Sequence, residues 1–193
     1  PVESANLLIK TDAGGVITQA VMLPDALNQI QLRFGFEGVA EYDSKVYVAM
    51  QRAWGDEDNP RIGIYDVAND AWQFMFYPLE ASASAAGGWV GLSDITPLGN
   101  GRFLIIERDN QGGPDAAIKR LYSVDISTVT DGATLNKTLE RDLLNDLSAG
   151  GAIIAEKVEG SAITSNGDVF IINDNDGVDD NSGETRLLNL GAL

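Results

Sequence analysis

The chain has 193 residues, 44% of them hydrophobic, which is enough to bury a sizeable core in one domain or two small ones. Thirteen Lys and Arg stand against 29 Asp and Glu, and the formal charge of −16 repels phosphate backbones and anionic lipid, so nucleic acid and membrane surfaces are not expected partners. There is no Cys and no His, which excludes disulfides, thiolate catalysis, the usual general base and the usual zinc ligands. Any chemistry must run on carboxylates, Lys, Arg, Tyr, Ser or Thr, or on a metal held by oxygen atoms, for which calcium or magnesium is the natural choice. The acid excess either meets such a cation or is a solvated surface. No apolar run approaches the ~18 to 20 residues needed to cross a bilayer, so no membrane insertion is expected.

In chain order, Ala5 to Lys10 and Val16 to Leu23 are strand-like runs joined by Asp12-Ala13-Gly14-Gly15, a hairpin signal, and Pro24 stops the second. A connection carrying Arg33 leads to strands at Phe36 to Ala40 and Val46 to Ala49. After the polar loop from Trp54 to Pro60 come strands Arg61 to Val67 and Trp72 to Tyr77, which makes a unit of four. The small-residue stretch Glu80 to Gly88 is a connector. A second unit follows, with strands near 90–96 and 103–108, a loop at 110–115, and strands at 119–125 and 137–141. Apolar spacing at Leu139, Leu143, Leu144 and Leu147 allows a short helical turn. The third unit runs through Glu159 and Asn166-Gly167 into Val169 to Ile172, an acidic loop, and a strand at Thr185 to Leu190.

The three units are copies. With the leading acids as markers, Glu37, Asp94 and Glu159 stand 57 and 65 residues apart, and the apolar runs starting at Val46, Phe103 and Val169 stand 57 and 66 apart. Recurrent four-stranded antiparallel units predict an all-β fold, a β-propeller of which this chain covers about three blades. The expected units are 1–24 in part, 36–79, 90–143 and 157–193 in part, all within one partial domain. Because a closed ring takes roughly four to eight blades, the remaining blades are expected from missing sequence or from another chain.

Antiparallel succession puts the starts of first strands and the ends of second strands on one face. That face gathers Glu37, Asp94 and Glu159 with Glu107, Asp109, Asn173 and Asp174, and the loops behind them carry Asp176 and other acids. A ring of carboxylates of this kind is a candidate calcium site, with Glu37, Asp94, Glu159, Asp174 and Asp176 as the metal ligands. Alternatively, Glu37 and Glu159 accept hydrogen bonds from the backbone of a neighbouring blade. Arg52 and Arg108 emerge at the same mouth, where they either clamp an anionic group or pair with the surrounding acids. Residues Ile172 to Asp180 come close to the calcium-loop pattern D-x-D-x-D-G-x-x-D, yet the first position is Ile172, and the stretch equally suits turn chemistry.

G-F-E-G-V-A at 35–40, G-L-S-D-I-T-P-L at 91–98, F-L-I-I-E-R-D-N at 103–110, R-L-Y-S-V-D-I at 120–126 and V-E-G-S-A-I at 158–163 resemble the phytase-like family, often labelled "esterase-like activity of phytase". The resemblance implies a β-propeller in an exported bacterial protein, hence a secreted or periplasmic location, and hydrolysis of phosphate or other esters. Glu-Gly at 37–38 and 159–160 is also similar to calcium-dependent propeller lactonases and phosphotriesterases, whose channel Glu is a metal ligand. The expectation is a cation-assisted hydrolase of a small-molecule ester or phosphoester, with Arg108 or Arg52 stabilising developing charge. The alternative is a non-catalytic extracellular binding module in which calcium is structural.

Overall fold

The computed structural model describes residues 6–30, 33–175 and 184–193. Four separate antiparallel sheets follow one another along the chain. The first is a hairpin of β1 (Leu7–Thr11) and β2 (Ile17–Met22), whose turn is closed by Asp12, with Oδ1 accepting from the amides of Gly14 and Val16 at 2.8 and 2.9 Å. After a short helix α1 (Asp25–Asn28) comes a meander of β3 (Phe36–Tyr42), β4 (Lys45–Met50), β5 (Arg61–Asp66) and β6 (Ala71–Phe76). The next meander is β7 (Val90–Gly99), β8 (Arg102–Asp109), β9 (Lys119–Asp125) and β10 (Lys137–Asp142), closed by the helical turn α2 (Leu144–Leu147). The last is β11 (Lys157–Ile163), β12 (Asp168–Asp174) and β13 (Leu187–Ala192). The chain is therefore all-β, with elements within a few residues of the expected ones, and its sheets do not close on one another.

The apolar run Phe103-Leu104-Ile105-Ile106 shows why the sheets stack. Successive strand residues point to opposite faces, so a continuous apolar run marks a strand buried on both sides. Phe103 and Ile105 face the sheet of β3–β6, meeting Tyr47, Ile62 and Ile64. Leu104 and Ile106 face the other way, onto Val158, Val169, Ile171 and the Leu147 of α2. All four are 0% exposed.

The first strands of the three meanders run beside one another. A Cβ at Gly38 of β3 would sit 2.6 Å from the amide nitrogen of Ile95 in β7, so only hydrogen fits between those two backbones. On the other side of β7, Asp94 Oδ2 accepts from the Ser161 amide of β11 at 2.7 Å and from the Ser161 hydroxyl at 2.8 Å.

Each first strand carries an irregularity at the same place, and β7 has a second between Pro97 and Gly99. The register against the second strand slips between Phe36 and Gly38, between Leu92 and Asp94, and between Val158 and Gly160. The inserted residues are Glu37, Ser93 and Glu159. A bulge of this type turns the extra side chain out of the ladder and bends the strand. It also sets the alignment of the three sheets, because the counterpart of Glu37 and Glu159 is Ser93, not Asp94.

Two acids expected at the mouth are buried inside instead. Glu107 is 0% exposed and accepts from the Tyr77 hydroxyl at 2.8 Å, the Glu80 amide at 2.6 Å and Lys137 Nζ at 2.6 Å. Asp109, also 0% exposed, accepts from the Ala117 and Ile118 amides and from Lys119 Nζ. A carboxylate leaves water only where charged and N–H donors replace it; those of Glu107 come from segments distant in sequence, and those of Asp109 from the loop and strand that follow it.

This joint sets the alkaline limit of stability. Burial, then the charge and hydrogen bond of Glu107, raise the Tyr77 hydroxyl far above its ordinary pKa. Burial and Glu80 push Tyr122 up to about 12. Both contributions are complete below the unfolded value near 10 and are lost above it, where only the unfolded chain gives up its protons. Lys119 acts in the opposite sense, since burial lowers it to about 8 and the unfolded chain binds the extra proton between there and about 10.5. The free energy of urea unfolding should therefore rise from pH 8 to about 10 and then fall, by up to about 1.4 kcal/mol per pH unit for each tyrosine. Tyr77→Phe should make that fall shallower.

Candidate functional site

A cleft of about 640 Å³ opens where the three first strands meet. All three bulge residues, Glu37, Ser93 and Glu159, line it. So do Gln51, Arg108 and Asp174, each one position past the residue that pairs just ahead of the bulge in its own unit. Two positions, each taken once from three sheets, thus build the cleft: Glu, Ser and Glu at one, Gln, Arg and Asp at the other.

Arg108 is the hub of the lining. Its side chain is 3% exposed, Nε donates to Ser93 Oγ at 2.9 Å, and Nη2 donates to Glu159 Oε1. The guanidinium also lies over the Trp89 ring, 5.4 Å from its centroid. The partner of Glu159 is thus a side chain of the neighbouring sheet, not the backbone donor that the sequence offered as its alternative role. Arg52 lies 4.7 Å from the centroid of Phe34 and 5.0 Å from that of Trp89, and Arg33 lies 5.2 Å from Phe34. The two rings are themselves in tilted contact at 5.6 Å. Three guanidinium groups around one aromatic pair concentrate positive charge in an acidic chain, and cation–π contact holds each of them without using up its hydrogen-bond donors.

Both rings are held from behind. Phe34 has φ of 76°, a conformation that costs an aromatic residue energy, and its carbonyl accepts from Trp54 Nε1 at 3.2 Å. Trp89 is clamped to Asn110, whose Oδ1 accepts from the Trp89 amide at 2.8 Å and whose own amide donates to the Trp89 carbonyl at 3.1 Å.

Of the expected site residues, Glu37, Glu159, Asp174 and Arg108 share this cleft, and Arg52 stands behind the Trp89 wall, lining an adjoining pocket. Asp94 does not join them. It lies one residue past the bulge, and Oδ2 is occupied by Ser161 and by the Thr96 hydroxyl. Asp176 falls outside the described residues. Among the described residues no three acids gather as a group able to hold a metal ion. With Glu159 tied to Arg108 and Asp94 tied to Ser161, the four described acids do not fit a calcium ion as they stand, and no chemical step is routed through one. Sequence reasoning missed Ser93, Gln51 and Phe34. The only trace of Ser93 is its position beside Asp94 in a strand whose bulge leaves no mark on the sequence.

A wider groove of about 800 Å³ runs between residues 110–115 and 148–156, but its lining holds only Asp115 and Glu156 as charged groups. The smaller cleft is where convergent polar groups lie, and it is the better candidate on chemistry.

No curated protein and no solved structure matches the chain. A family model does, that of "Phytase-like: Esterase-like activity of phytase", over residues 2–177. Matched along nearly its whole length, the chain belongs to the phytase-like family.

Proposed function

We propose that the chain is the working segment of a β-propeller hydrolase that binds an anionic phosphoester or carboxylester in the cleft of Glu37, Ser93, Arg108 and Glu159. Family membership supports a hydrolase-like activity. The observation that carries the site is the convergence of Arg33, Arg52 and Arg108 on the Phe34–Trp89 pair, beside carboxylates supplied by two units of the repeat. Guanidinium groups recognise the planar oxygens of an anion and stabilise charge that develops on them. In a chain without His a carboxylate is the natural group to take the proton from water, and Glu37, exposed in the lining, is assigned that role. In this reading the three meanders are successive blades, the β1–β2 hairpin is the outer half of a preceding one, and the ring is completed by further sequence or another chain. Export to the periplasm or the outside is part of this proposal.

The test is hydrolysis of p-nitrophenyl phosphate and p-nitrophenyl acetate, each with a chelator and with added calcium. Turnover inhibited competitively by inorganic phosphate is expected. Failure to hydrolyse either ester or to bind phosphate would overturn the proposal. Activity that survives chelation would leave the arginines and carboxylates as the whole machinery, whereas loss on chelation would return calcium, with Asp174 and Asp176 as its first candidate ligands, to the reading.

One observation favours a second reading, a non-catalytic binding module. The Arg108 guanidinium already donates to Ser93 and Glu159 and is nearly sealed from solvent, as a structural tie would be.

A further inference from the structure

Lys119 opens β9 and has no exposed surface, yet it carries a charge that the cleft does not use directly. Its three ammonium hydrogens have three acceptors: the Asp109 carbonyl at 2.7 Å, Asp109 Oδ1 at 2.8 Å and the Glu156 carbonyl at 2.7 Å. The first two belong to the end of β8, immediately after Arg108. The third belongs to the segment that becomes β11 one residue later and reaches Glu159 three residues later. The charged groups acting on Lys119 are Asp109, Arg108 and Glu156, and its own carbonyl accepts from the Leu143 amide beyond β10 at 2.7 Å.

A buried ammonium is a costly way to fill space, and a methionine would fill nearly the same volume without desolvating a charge. What the ammonium adds is direction, since three short bonds to two chain segments fix those segments relative to each other. The two segments are the ones that present the halves of the Arg108–Glu159 pair.

We infer that Lys119 is a positioning residue of the cleft, locking the end of β8 to the start of β11 and so setting Arg108 and Glu159 in register. The inference rests on the cleft being the working site proposed above. Two neighbouring contacts agree with it: the Gly113 amide donates to the Ile154 carbonyl at 2.8 Å, and a Cβ at Gly112 would touch the Glu156 amide, so the loop after β8 lies directly on the segment before β11.

The test compares the 193-residue chain with Lys119→Met by amide hydrogen exchange, by the NMR signal of the Arg108 Nε–H, and by the kinetics of p-nitrophenyl phosphate. Lys119→Met should exchange Lys157 to Gly160 at least about tenfold faster while β3 to β6 stay as in the wild type. The Arg108 Nε–H signal should shift, and kcat should fall with little change in KM. Unchanged exchange at β11, uniform acceleration in every sheet, or wild-type kinetics in a loosened variant would each overturn the inference. If Lys119→Met does not fold, the wild-type ammonium itself decides. A slowly exchanging Lys119 NH₃⁺ signal coupled across hydrogen bonds to the carbonyl carbons of both Asp109 and Glu156 supports the inference, and coupling to Asp109 alone refutes it. Exchange and the Arg108 signal need no turnover, so a wild type inactive on both esters refutes the hydrolase reading while these measurements still judge Lys119.

Discussion

Glu107→Ala should destabilise the chain by about 3 to 5 kcal/mol, the cost of breaking a buried charge network by deleting one member. The carboxylate has no exposed surface and satisfies three donors from three places: the Tyr77 hydroxyl beyond β6, the Glu80 amide in the connector and Lys137 at the start of β10. Removing it strands the ammonium of Lys137, whose side chain is only 12% exposed and lies over the rings of Tyr77 and Tyr122 at 5.0 and 4.2 Å from their centroids. Lys137 keeps a weaker partner in Glu80 at 3.5 Å, which sets the cost below that of a wholly unpaired charge. Glu107→Gln keeps an acceptor and the shape, so it should cost less than the alanine. Arg102→Ala, which removes one partner of the exposed pair with Glu140, should cost under about 1 kcal/mol. Urea unfolding at pH 7 ranks the three, and a Glu107→Ala loss as small as that of Arg102→Ala would show that water reaches the joint and that the network does not hold the two sheets together.

The same joint shows where sequence reading stops. Strand identity was legible because it depends on neighbours in sequence. Val46 to Ala49 and Phe103 to Ile106 are too apolar for a one-sided strand, Asp12-Ala13-Gly14-Gly15 closes a hairpin, and the recurring order of strands brings the meanders in line. The fate of acids at strand ends depends on partners far away. Glu107 and Asp109 look like Asp174 in the sequence, at the end of a second strand and next to a loop. Only the arrival of Lys137 and Lys119 turns the first two inward, while Asp174 stays exposed.

Asp94 failed for a different reason. Marking the repeat by its acids is reasonable where a one-residue difference is invisible. In a strand, however, one residue reverses the side that a chain position faces, and a bulge adds that one residue without any signature in composition. The leading acids were spaced 57 and 65 apart and the apolar runs 57 and 66, and the bulge residues Glu37, Ser93 and Glu159 stand 56 and 66 apart. The spacing disagreed by a single residue between acid and apolar markers in the last step, which is the size of the error. Ser93 thus takes the cleft position, and Asp94 becomes the tie to Ser161 that holds β7 against β11.

Arg108 separates the hydrolase from the binding module. Its guanidinium joins two bulge residues from different units, and no lysine could reach both Ser93 and Glu159 with the same planar fork. If the cleft hydrolyses esters, Arg108→Lys should lower kcat/KM by about 10²- to 10³-fold, the size of losing one donor to a developing oxyanion, while retaining most of the stability. Glu159→Gln should act in the reverse direction. Glu159 is 23% exposed and does no chemistry in this reading except to occupy Arg108, so weakening the pair frees Nη2 for the substrate anion and KM for p-nitrophenyl phosphate should fall. A purely structural pair behaves differently: Glu159→Gln leaves the Arg108 charge buried without its partner, Arg108→Lys weakens the pair, both lower the melting temperature, and neither alters the kinetics of any ester. Opposite effects on kcat/KM from the two members of one ion pair are expected of a substrate anion drawn to Arg108 and not of a purely structural tie, so this one pair of variants, measured for melting and for turnover, assigns the cleft.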